Sequence, residues 1–244
     1  MIKKFVMLVL FFFDFIYQKK IIEFLKKKNI DNFNIVLDVG AHKGESINLF
    51  LGNMTIKKII SFEASPFNFK FLEKNKKYYL KKFPNTQIVI ENIALGSEKK
   101  ETTLNQFDES SSTTINNINE ESKYFKKKFN LLNYGNKKKA YVSFKIKIET
   151  LGDYMEHNNL GNISFLKIDT EGYEYKILKG LKQKIKLIDT IMFEHHYDNM
   201  IIKGYTFTDI NSFLKKNNFQ QIYKSKMPFR KTFEYIYKRK ELIN

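Results

Sequence analysis

Short apolar segments alternate with segments of helical periodicity along most of this 244-residue chain, and this alternation limits the folds open to it. The apolar segments predicted as strands are Ile35–Val39, Lys58–Glu63, Gln87–Asn92, Tyr141–Glu149, Ile163–Asp169, Ile188–His195, Phe219–Lys224 and Phe233–Lys238. The predicted helices are Phe67–Tyr79, Leu151–His157, Tyr173–Lys184 and Thr208–Asn217. Such an order is typical of an α/β domain, in which a mostly parallel sheet carries helices on both faces.

The end of the chain and one internal segment depart from this alternation. A short turn region containing Pro228 joins the last two predicted strands. A parallel crossover needs a dozen or more residues, so we expect these two strands to pair antiparallel. The segment 97–139 is polar and repetitive, and we interpret it as an insertion or mobile flap with a strand at its start.

The first 33 residues differ in composition and pattern from the rest of the chain. Phe5–Tyr17 is apolar except for Asp14, and it is shorter than the roughly 20 residues of a membrane-spanning helix. Residues 1–39 contain no Ala, Gly or Ser, which argues against a cleaved signal peptide. Lysines then alternate with Ile21, Ile22 and Leu25 at helical spacing. We predict that residues 1–33 are a helical extension of a domain at 34–244, either packed on it or lying in a membrane interface.

The composition argues against some classes of binding partner and excludes some kinds of catalytic chemistry. The formal charge of +17 would suit a nucleic-acid or anionic partner, but Arg230 and Arg239 are the only arginines among 43 basic residues. Proteins that read bases or phosphates in a fixed geometry favour arginine, so a nucleic-acid partner is not expected. The absence of cysteine excludes disulfides, thiolate metal sites and a cysteine nucleophile. The sequence gives no indication of an oligomeric state.

The first motif with a chemical meaning is Asp38-x-Gly40-x-x-x-Gly44, directly after the first predicted strand. Glycines let the backbone turn tightly and approach a ligand, and the following helix presents free N–H groups. A dinucleotide fingerprint would need glycine where His42 stands. The spacing is instead typical of S-adenosylmethionine (AdoMet) binding; the alternative is a glycine turn with no ligand.

Two further strand ends complete the predicted cofactor site. Glu63 ends the second strand, 23 positions beyond the first glycine, where a carboxylate can accept both ribose hydroxyls. Asn92 and Ala94 follow the third strand and could border the adenine, although an asparagine there can also simply cap a loop. His42 and Ala64, which lie inside these motifs, belong to the same predicted cofactor-binding set.

Carboxylates and histidines end the fourth and fifth predicted strands of the parallel series. Asp169, Glu171 and Glu174 lie within six residues, an arrangement that favours a nearby cationic or protic ligand. Glu171 and Glu174 could equally serve the following helix as a cap and as dipole compensation. His195 and His196 point to opposite faces of a strand, so only one of them can easily reach the cleft. No spacing supports a metal site, and none is predicted.

At this point four segments, in this order, resemble the FkbM family of AdoMet-dependent methyltransferases: VLDVGAHKGE, FEASP, ENIALGS and FLKIDTEGYEYKILKG. The resemblance extends from about Ile35 to about Glu194. It implies a Rossmann-like class I methyltransferase fold with a seven-stranded, mostly parallel sheet, an antiparallel last strand and helices on both faces. It also implies methylation of hydroxyl oxygens on polyketides, sugars or surface glycans.

The resemblance assigns roles residue by residue. Ala64 stands where the family usually has proline, a mild change that should leave the preceding glutamate in place. Segment 97–139 does not align, so the resemblance stops short of acceptor recognition. The implied roles are Asp38, Gly40 and Gly44 at the methionine end, Glu63 at the ribose, and Asp169 and Glu171 beside the reacting centre.

The function expected from these observations is AdoMet-dependent O-methyl transfer to a sugar, a surface glycan or a similar small acceptor. His195 is the predicted general base, with Asp169 as its orienting partner or as the alternative base. The competing hypotheses are an RNA methyltransferase that uses the lysine-rich surface, and a non-catalytic binding protein docked on a membrane. We expect a cytoplasmic protein, at the inner face of the membrane if residues 1–28 contact lipid.

Overall fold

The computed structural model describes residues 2–107, 113–127 and 141–240, with side chains from Phe13 onward. The strands are β1 Asn32–Val39, β2 Thr55–Phe62, β3 Gln87–Glu91, β4 Ala94–Gly96, β5 Lys100–Phe107, β6 Asn117–Ile118, β7 Tyr141–Thr150, β8 Ile163–Ile168, β9 Ile188–His196, β10 Ile201–Ile202, β11 Phe219–Lys226 and β12 Thr232–Arg239. The helices named here are α1 Ile2–Lys27, α2 Glu45–Leu51, α3 Pro66–Lys82, α4 Leu151–His157, α5 Glu174–Gly180 and α6 Phe207–Lys216, with a 3-10 turn at Lys182–Leu187.

Seven strands form the main sheet, in the order β11-β12-β9-β8-β1-β2-β3. Strands β3, β2, β1, β8 and β9 pair in parallel, whereas β12 pairs antiparallel with both β9 and β11. The predicted α/β fold, with a mostly parallel seven-stranded sheet and an antiparallel last strand, is confirmed. The carboxyl ends of five neighbouring strands consequently meet along one edge, where ligands bind in such sheets.

Apolar layers cover both faces of the sheet, and neighbouring residues of β1 contribute to different layers. Val36 belongs to a cluster with α1, α2 and α3, while Leu37 belongs to a cluster with α4, α5 and α6 on the other face. Neighbouring residues of one strand thus enter different layers, as the alternation of side chains requires. This accounts for continuous apolar runs such as Ile163–Ile168, because a strand covered on both faces has no wet side.

A smaller sheet of three strands, β4-β7-β5, stands apart from the main one. Its central strand β7 confirms the predicted strand at Tyr141–Glu149, but that strand is not a member of the parallel sheet. The physical reason is its alternation, which suits a sheet with one exposed face. Strand β5 fulfils the prediction of a strand at the start of the polar insertion; positions 108–112 and 128–140 of that insertion lie outside the described residues.

One predicted helix is shorter than expected. The segment Tyr173–Lys184 forms α5 only as far as Gly180, and a 3-10 turn follows from Lys182. A Cβ atom at Gly180 would collide with the carbonyl oxygen of Gly96, so the helix end lies directly on the backbone of β4. The left-handed conformation of Lys182, with φ of 51°, then redirects the chain.

The first helix, α1, packs onto the same sheet face as α2 and α3. Tyr17, Ile21, Ile22 and Leu25 are buried there beside Phe165 of β8. The packed alternative predicted for this segment therefore describes the part of α1 from Tyr17 onward; the predicted domain boundary at residues 33 and 34 stays a prediction. Within the described residues, no helix combines the length and apolar character needed to cross a bilayer.

Candidate active site

The turn after β1 brings the backbone of three strands together. Gly40 has φ of 86°, and its N–H donates to the carbonyl oxygen of Phe62 at 2.9 Å. A Cβ atom at Gly40 would overlap the carbonyl oxygen of Asp169, which follows β8. At Gly44, with φ of 97°, a Cβ atom would come within 2.7 Å of the Tyr79 hydroxyl. Both positions therefore require glycine, as the sequence motif predicts.

Glu63 lies at the end of β2 and is almost fully buried. Its carboxylate accepts the backbone N–H of His42 at 2.7 Å and that of Ser65 at 2.8 Å. Burial raises the pKa of Glu63 to about 7, against the lowering effect of these two N–H donors. The side chain of Asn68 also hydrogen-bonds to this carboxylate. A carboxylate offers about four acceptor positions, so one remains for a ribose hydroxyl. The group fits the ribose-binding role that the sequence predicts.

The other predicted cofactor contacts surround this carboxylate. Asn92 donates its side-chain N–H to the carbonyl oxygen of Glu63 at 2.7 Å, which fixes the end of β2. Ala94 is buried in β4, while Ala64 is half-buried beside Glu63. His42 has φ of 50° and places its ring Nδ1 3.1 Å from Glu45. Contacts of these residues with the cofactor stay a prediction.

Asp38 points into the protein instead of toward the cleft. Its side chain is fully buried and accepts hydrogen bonds from Ser46 at 2.6 Å, from Ser61 at 3.3 Å and from Lys167 at 3.2 Å. The predicted place of Asp38 along the methionine end is therefore not a direct side-chain contact in this geometry. Its role here is to hold the start of α2 and the end of β8 against β1.

Lys167 links this buried carboxylate to the cleft. Its ammonium lies 3.2 Å from Asp38 and 3.4 Å from Asp169, whose side chain is 37% exposed. Burial alone would lower the pKa of Lys167, but the Asp38 and Asp169 carboxylates outweigh it and raise the pKa. Sequence reasoning assigned no role to Lys167; the signal available was a charged residue inside an otherwise apolar strand.

A second polar cluster lies at the end of β9, around His196. The imidazole Nε2 is 3.0 Å from Glu194 and 3.2 Å from Glu171, and Nδ1 is 3.1 Å from the Thr232 hydroxyl and 3.7 Å from Asp198. Burial would lower the pKa of His196, yet Glu171 and the other carboxylates raise it well above its usual value. At neutral pH the ring is therefore a cation that compensates its acidic neighbours.

His195, the predicted general base, lies on the other face of β9. Its side chain is buried among the rings of Tyr197, Tyr205 and Phe207, with centroids 4.8, 6.0 and 5.8 Å away. Burial lowers the pKa of His195 to about 3. The geometry does not bring His195 to Asp169, because the alternation of the strand sends Glu194 and His196 to the face where the carboxylates gather.

Glu234 is a site residue that the sequence did not reveal. It lies opposite Glu194 in the pairing of β12 with β9, and both side chains are buried. Burial and the neighbouring Glu194 and Asp169 charges raise the pKa of Glu234 well above its usual value. Because β12 runs antiparallel, its beginning meets the carboxyl end of β9; the available signal was one acid inside an apolar strand.

Part of the polar insertion is fastened to the turn after β8. The hydroxyl of Thr114 donates to the carbonyl oxygen of Glu171 at 2.8 Å, and the amide of Asn116 donates to that of Gly172 at 2.6 Å. Strand β6 then pairs with β10, just beyond β9. We call Thr114 and Asn116 the carbonyl clasp. It joins residues 113–118 to the turn after β8.

Comparison with protein families decides the class of the molecule. Residues 38–220, well over half of the chain, match the family described as the methyltransferase FkbM domain. The chain belongs to the FkbM methyltransferase family. The predicted family is confirmed, and AdoMet is the cofactor that this membership supports. Comparison with curated proteins gave no match.

Solved structures confirm the fold of this FkbM methyltransferase. Methyltransferase FkbM from Methylobacillus flagellatus KT aligns with a TM-score of 0.56 at 14% identity, over 85% of this chain and 44% of that one. Magnesium protoporphyrin IX methyltransferase from Synechocystis PCC 6803 with bound SAH aligns with a TM-score of 0.54 at 10% identity, over 97% and 88%. The chain thus spans less than half the length of the Methylobacillus protein.

Because the pKa of Glu63 is raised to about 7, we expect cofactor binding by this FkbM family member to depend on pH. A ribose hydroxyl binds the ionised carboxylate, and with a pKa of about 7 that form becomes dominant between pH 6 and 8. AdoMet affinity should rise about tenfold over this interval. Calorimetric titration across the range measures the change. The Glu63→Gln variant, which cannot ionise, should lack this rise; an equal rise in both proteins would assign it to another group.

Cationic side chains lie among the carboxylates of the candidate site. In the part of the chain that the structure describes, no three His, Asp or Glu side chains are arranged to hold a metal ion. The cluster at the end of β9 is instead compensated by charge, because Lys167 and His196 lie among its carboxylates.

Proposed function

We propose that the protein transfers the methyl group of AdoMet to a hydroxyl of a sugar, in a surface glycan or a similar small acceptor. The observation that carries this proposal is the half-exposed carboxylate of Asp169, fixed by Lys167 beside the Gly40 turn. Carboxylates are good acceptors for sugar hydroxyls. Because Lys167 and His196 already compensate these acids, the site does not need a cationic acceptor.

Glu63 and the Gly40 turn form the cofactor side of the proposed site. The carboxylate of Glu63, held by two backbone N–H groups, would bind a ribose hydroxyl, and the turn lets the cofactor approach the backbone. The bound sulfonium supplies an activated methyl group, so the protein mainly has to orient the acceptor oxygen.

Asp169 is the proton acceptor in this proposal. The acceptor hydroxyl must lose its proton as its oxygen is methylated, and a positioned base contributes about 10²–10⁴-fold. The Asp169 carboxylate would take that proton, with Lys167 orienting it 3.4 Å away. The exposed part of Asp169 would release the proton to water afterwards. His196 cannot take this role, because its neighbouring carboxylates keep the ring protonated.

The proposal is tested in two steps with purified protein. Calorimetry should give AdoMet binding that Glu63→Ala weakens by at least about tenfold, or 1.4 kcal/mol. Glu149→Ala, a matched loss of a carboxylate at the end of β7 in the small sheet, should leave binding unchanged. Transfer of labelled methyl to glycans should then fall about 10²–10⁴-fold in Asp169→Asn, with cofactor affinity retained.

The His195→Phe variant distinguishes between His195 and Asp169 as the general base. Phenylalanine fits the aromatic cluster around position 195, so this variant should fold and retain transfer. Loss of transfer in His195→Phe together with full activity in Asp169→Asn would restore His195 as the base. Labelling of RNA in preference to glycans would overturn the acceptor class while leaving the methyltransferase assignment in place.

A further inference from the structure

Helix α1 has two parts with different surroundings. From Tyr17 onward it is packed on the sheet, and Ile21 and Leu25 are buried. Before Asp14, Phe5–Phe13 are nine consecutive apolar residues. At 3.6 residues per turn such a run places apolar residues on every face of a helix. A helix that is apolar all round is stable only where apolar surroundings cover it.

The turn between β11 and β12 meets α1 at the border of these two parts. Arg230 donates to the Asp14 carboxylate at 2.8 Å, and the rings of Phe13 and Phe229 lie edge to face with centroids 4.9 Å apart. Phe229 is 74% exposed and Phe15 is 56% exposed. We call Phe13, Phe15 and Phe229 the aromatic tip.

The backbone conformation of Phe229 indicates that the turn itself keeps the Phe229 ring exposed. Phe229 has φ of 60°, a left-handed conformation that bulky residues rarely adopt. Such strain persists where the surrounding structure holds it, and it is concentrated at functional positions. The turn thus keeps a large apolar ring in solvent at a backbone position better suited to glycine or asparagine.

Exposed lysines surround the aromatic tip. Lys226 and Lys231 flank the turn on either side, and Lys19 and Lys20 are exposed on α1 just beyond it. The acid closest to the tip in sequence, Asp14, is already paired with Arg230. The chain as a whole carries a charge of +17. Apolar aromatic rings bordered by lysines match the chemistry of an anionic lipid surface, whose headgroups attract basic residues.

We propose that the aromatic tip and the apolar run before it dock the protein onto an anionic membrane. The run of nine residues from Phe5 to Phe13 is about 14 Å long as a helix, against about 30 Å of hydrocarbon core, so it enters one leaflet and does not cross the bilayer. The proposal does not depend on the acceptor. The N–H of Tyr197 donates to the carbonyl oxygen of Lys231 at 2.7 Å, so the turn that carries Phe229 adjoins the carboxyl end of β9, and docking holds that end near the lipid surface.

Flotation of the full chain with vesicles tests this docking. The protein should float with vesicles of phosphatidylcholine and phosphatidylglycerol and bind pure phosphatidylcholine much less. The double variant Phe15→Ser/Phe229→Asn should lower the partition coefficient at least about tenfold. Asparagine is chosen because it tolerates the left-handed backbone. Both changed side chains are exposed, so the melting temperature should be retained, which separates lost docking from lost folding.

A matched double variant controls for exposed apolar area elsewhere. Tyr78 on α3 and Val142 on β7 are 56% and 57% exposed, and Tyr78→Ser/Val142→Ser should bind vesicles like the unchanged protein. Equal binding by both double variants, or no flotation of the unchanged protein, would overturn the proposal. A dimer in solution that only the aromatic-tip variant converts to monomer, without vesicle binding, would assign the tip to a second copy of the chain instead.

Discussion

Replacing Gly40 with alanine should lower the melting temperature by about 10 °C. The left-handed backbone at this position costs a non-glycine residue roughly 1–2 kcal/mol. The new methyl group would also overlap the carbonyl oxygen of Asp169, and relieving such a collision in a packed region costs about 1–3 kcal/mol. Since β1 and β8 are neighbours in the sheet, the collision cannot be relieved without displacing a strand end. Thermal unfolding followed by circular dichroism measures the loss.

Alanine substitutions at two other glycines distinguish the cost of the left-handed backbone from the cost of the collision. Gly204 has φ of 71° and no atom within 4 Å of an added Cβ, so Gly204→Ala should show only the backbone cost. Gly161 has neither a left-handed backbone nor a close neighbour, and Gly161→Ala should be nearly neutral. If Gly40→Ala were no more destabilising than Gly204→Ala, the close approach of the β1 turn to Asp169 would be disproved.

Replacing Lys167 with methionine should lower the free energy of unfolding by about 3–5 kcal/mol. Methionine keeps most of the length and volume of the side chain but removes the ammonium between Asp38 and Asp169. Asp38 would keep its two serine donors and lose its only ion-pair partner in the described structure, while remaining fully buried. An uncompensated buried charge is among the most destabilising single changes known in proteins. Urea unfolding at neutral pH measures the effect.

An exposed ion pair supplies the control for Lys167. Lys182 lies 3.1 Å from Asp153, with a side chain that is 59% exposed. Exposed pairs contribute only about 0–1 kcal/mol, so Lys182→Met should change the stability little. Similar losses in the two variants would mean that Lys167 acts through packing in β8 and not through the buried charge pair.

The fold was predictable because the composition of each strand indicates whether one or both of its faces are covered. Ile163–Ile168 and Ile188–His196 are apolar over most of their length, and such runs are typical of strands covered on both faces. Strand β7 was recognised as a strand, but its pairing with β4 and β5 was not predicted. Its alternation shows that one face is exposed, but pairing partners depend on the path of the whole chain.

The candidate site was predictable only where one local segment creates it. Gly40 and Glu63 lie at the ends of strands, and their functions depend on backbone conformation and position along the strand. His195 and His196 differ by one position, and no local signal says which face of β9 meets the cleft. Glu234 comes from a distant strand that enters the site only because β12 is antiparallel.

The carbonyl clasp has a consequence for how acceptor specificity can diverge. Thr114 and Asn116 bind the main-chain oxygens of residues 171 and 172, and a Cβ atom at Gly172 would come within 2.9 Å of the Asn116 amide, so the clasp requires glycine there. The attachment of residues 113–118 therefore uses main-chain oxygens, whereas the proposed reaction uses side chains. Strands β5 and β6 also attach the insertion, through β7 and β10, so residues 97–139 can change without loss of this attachment only outside these strands and the two clasp residues.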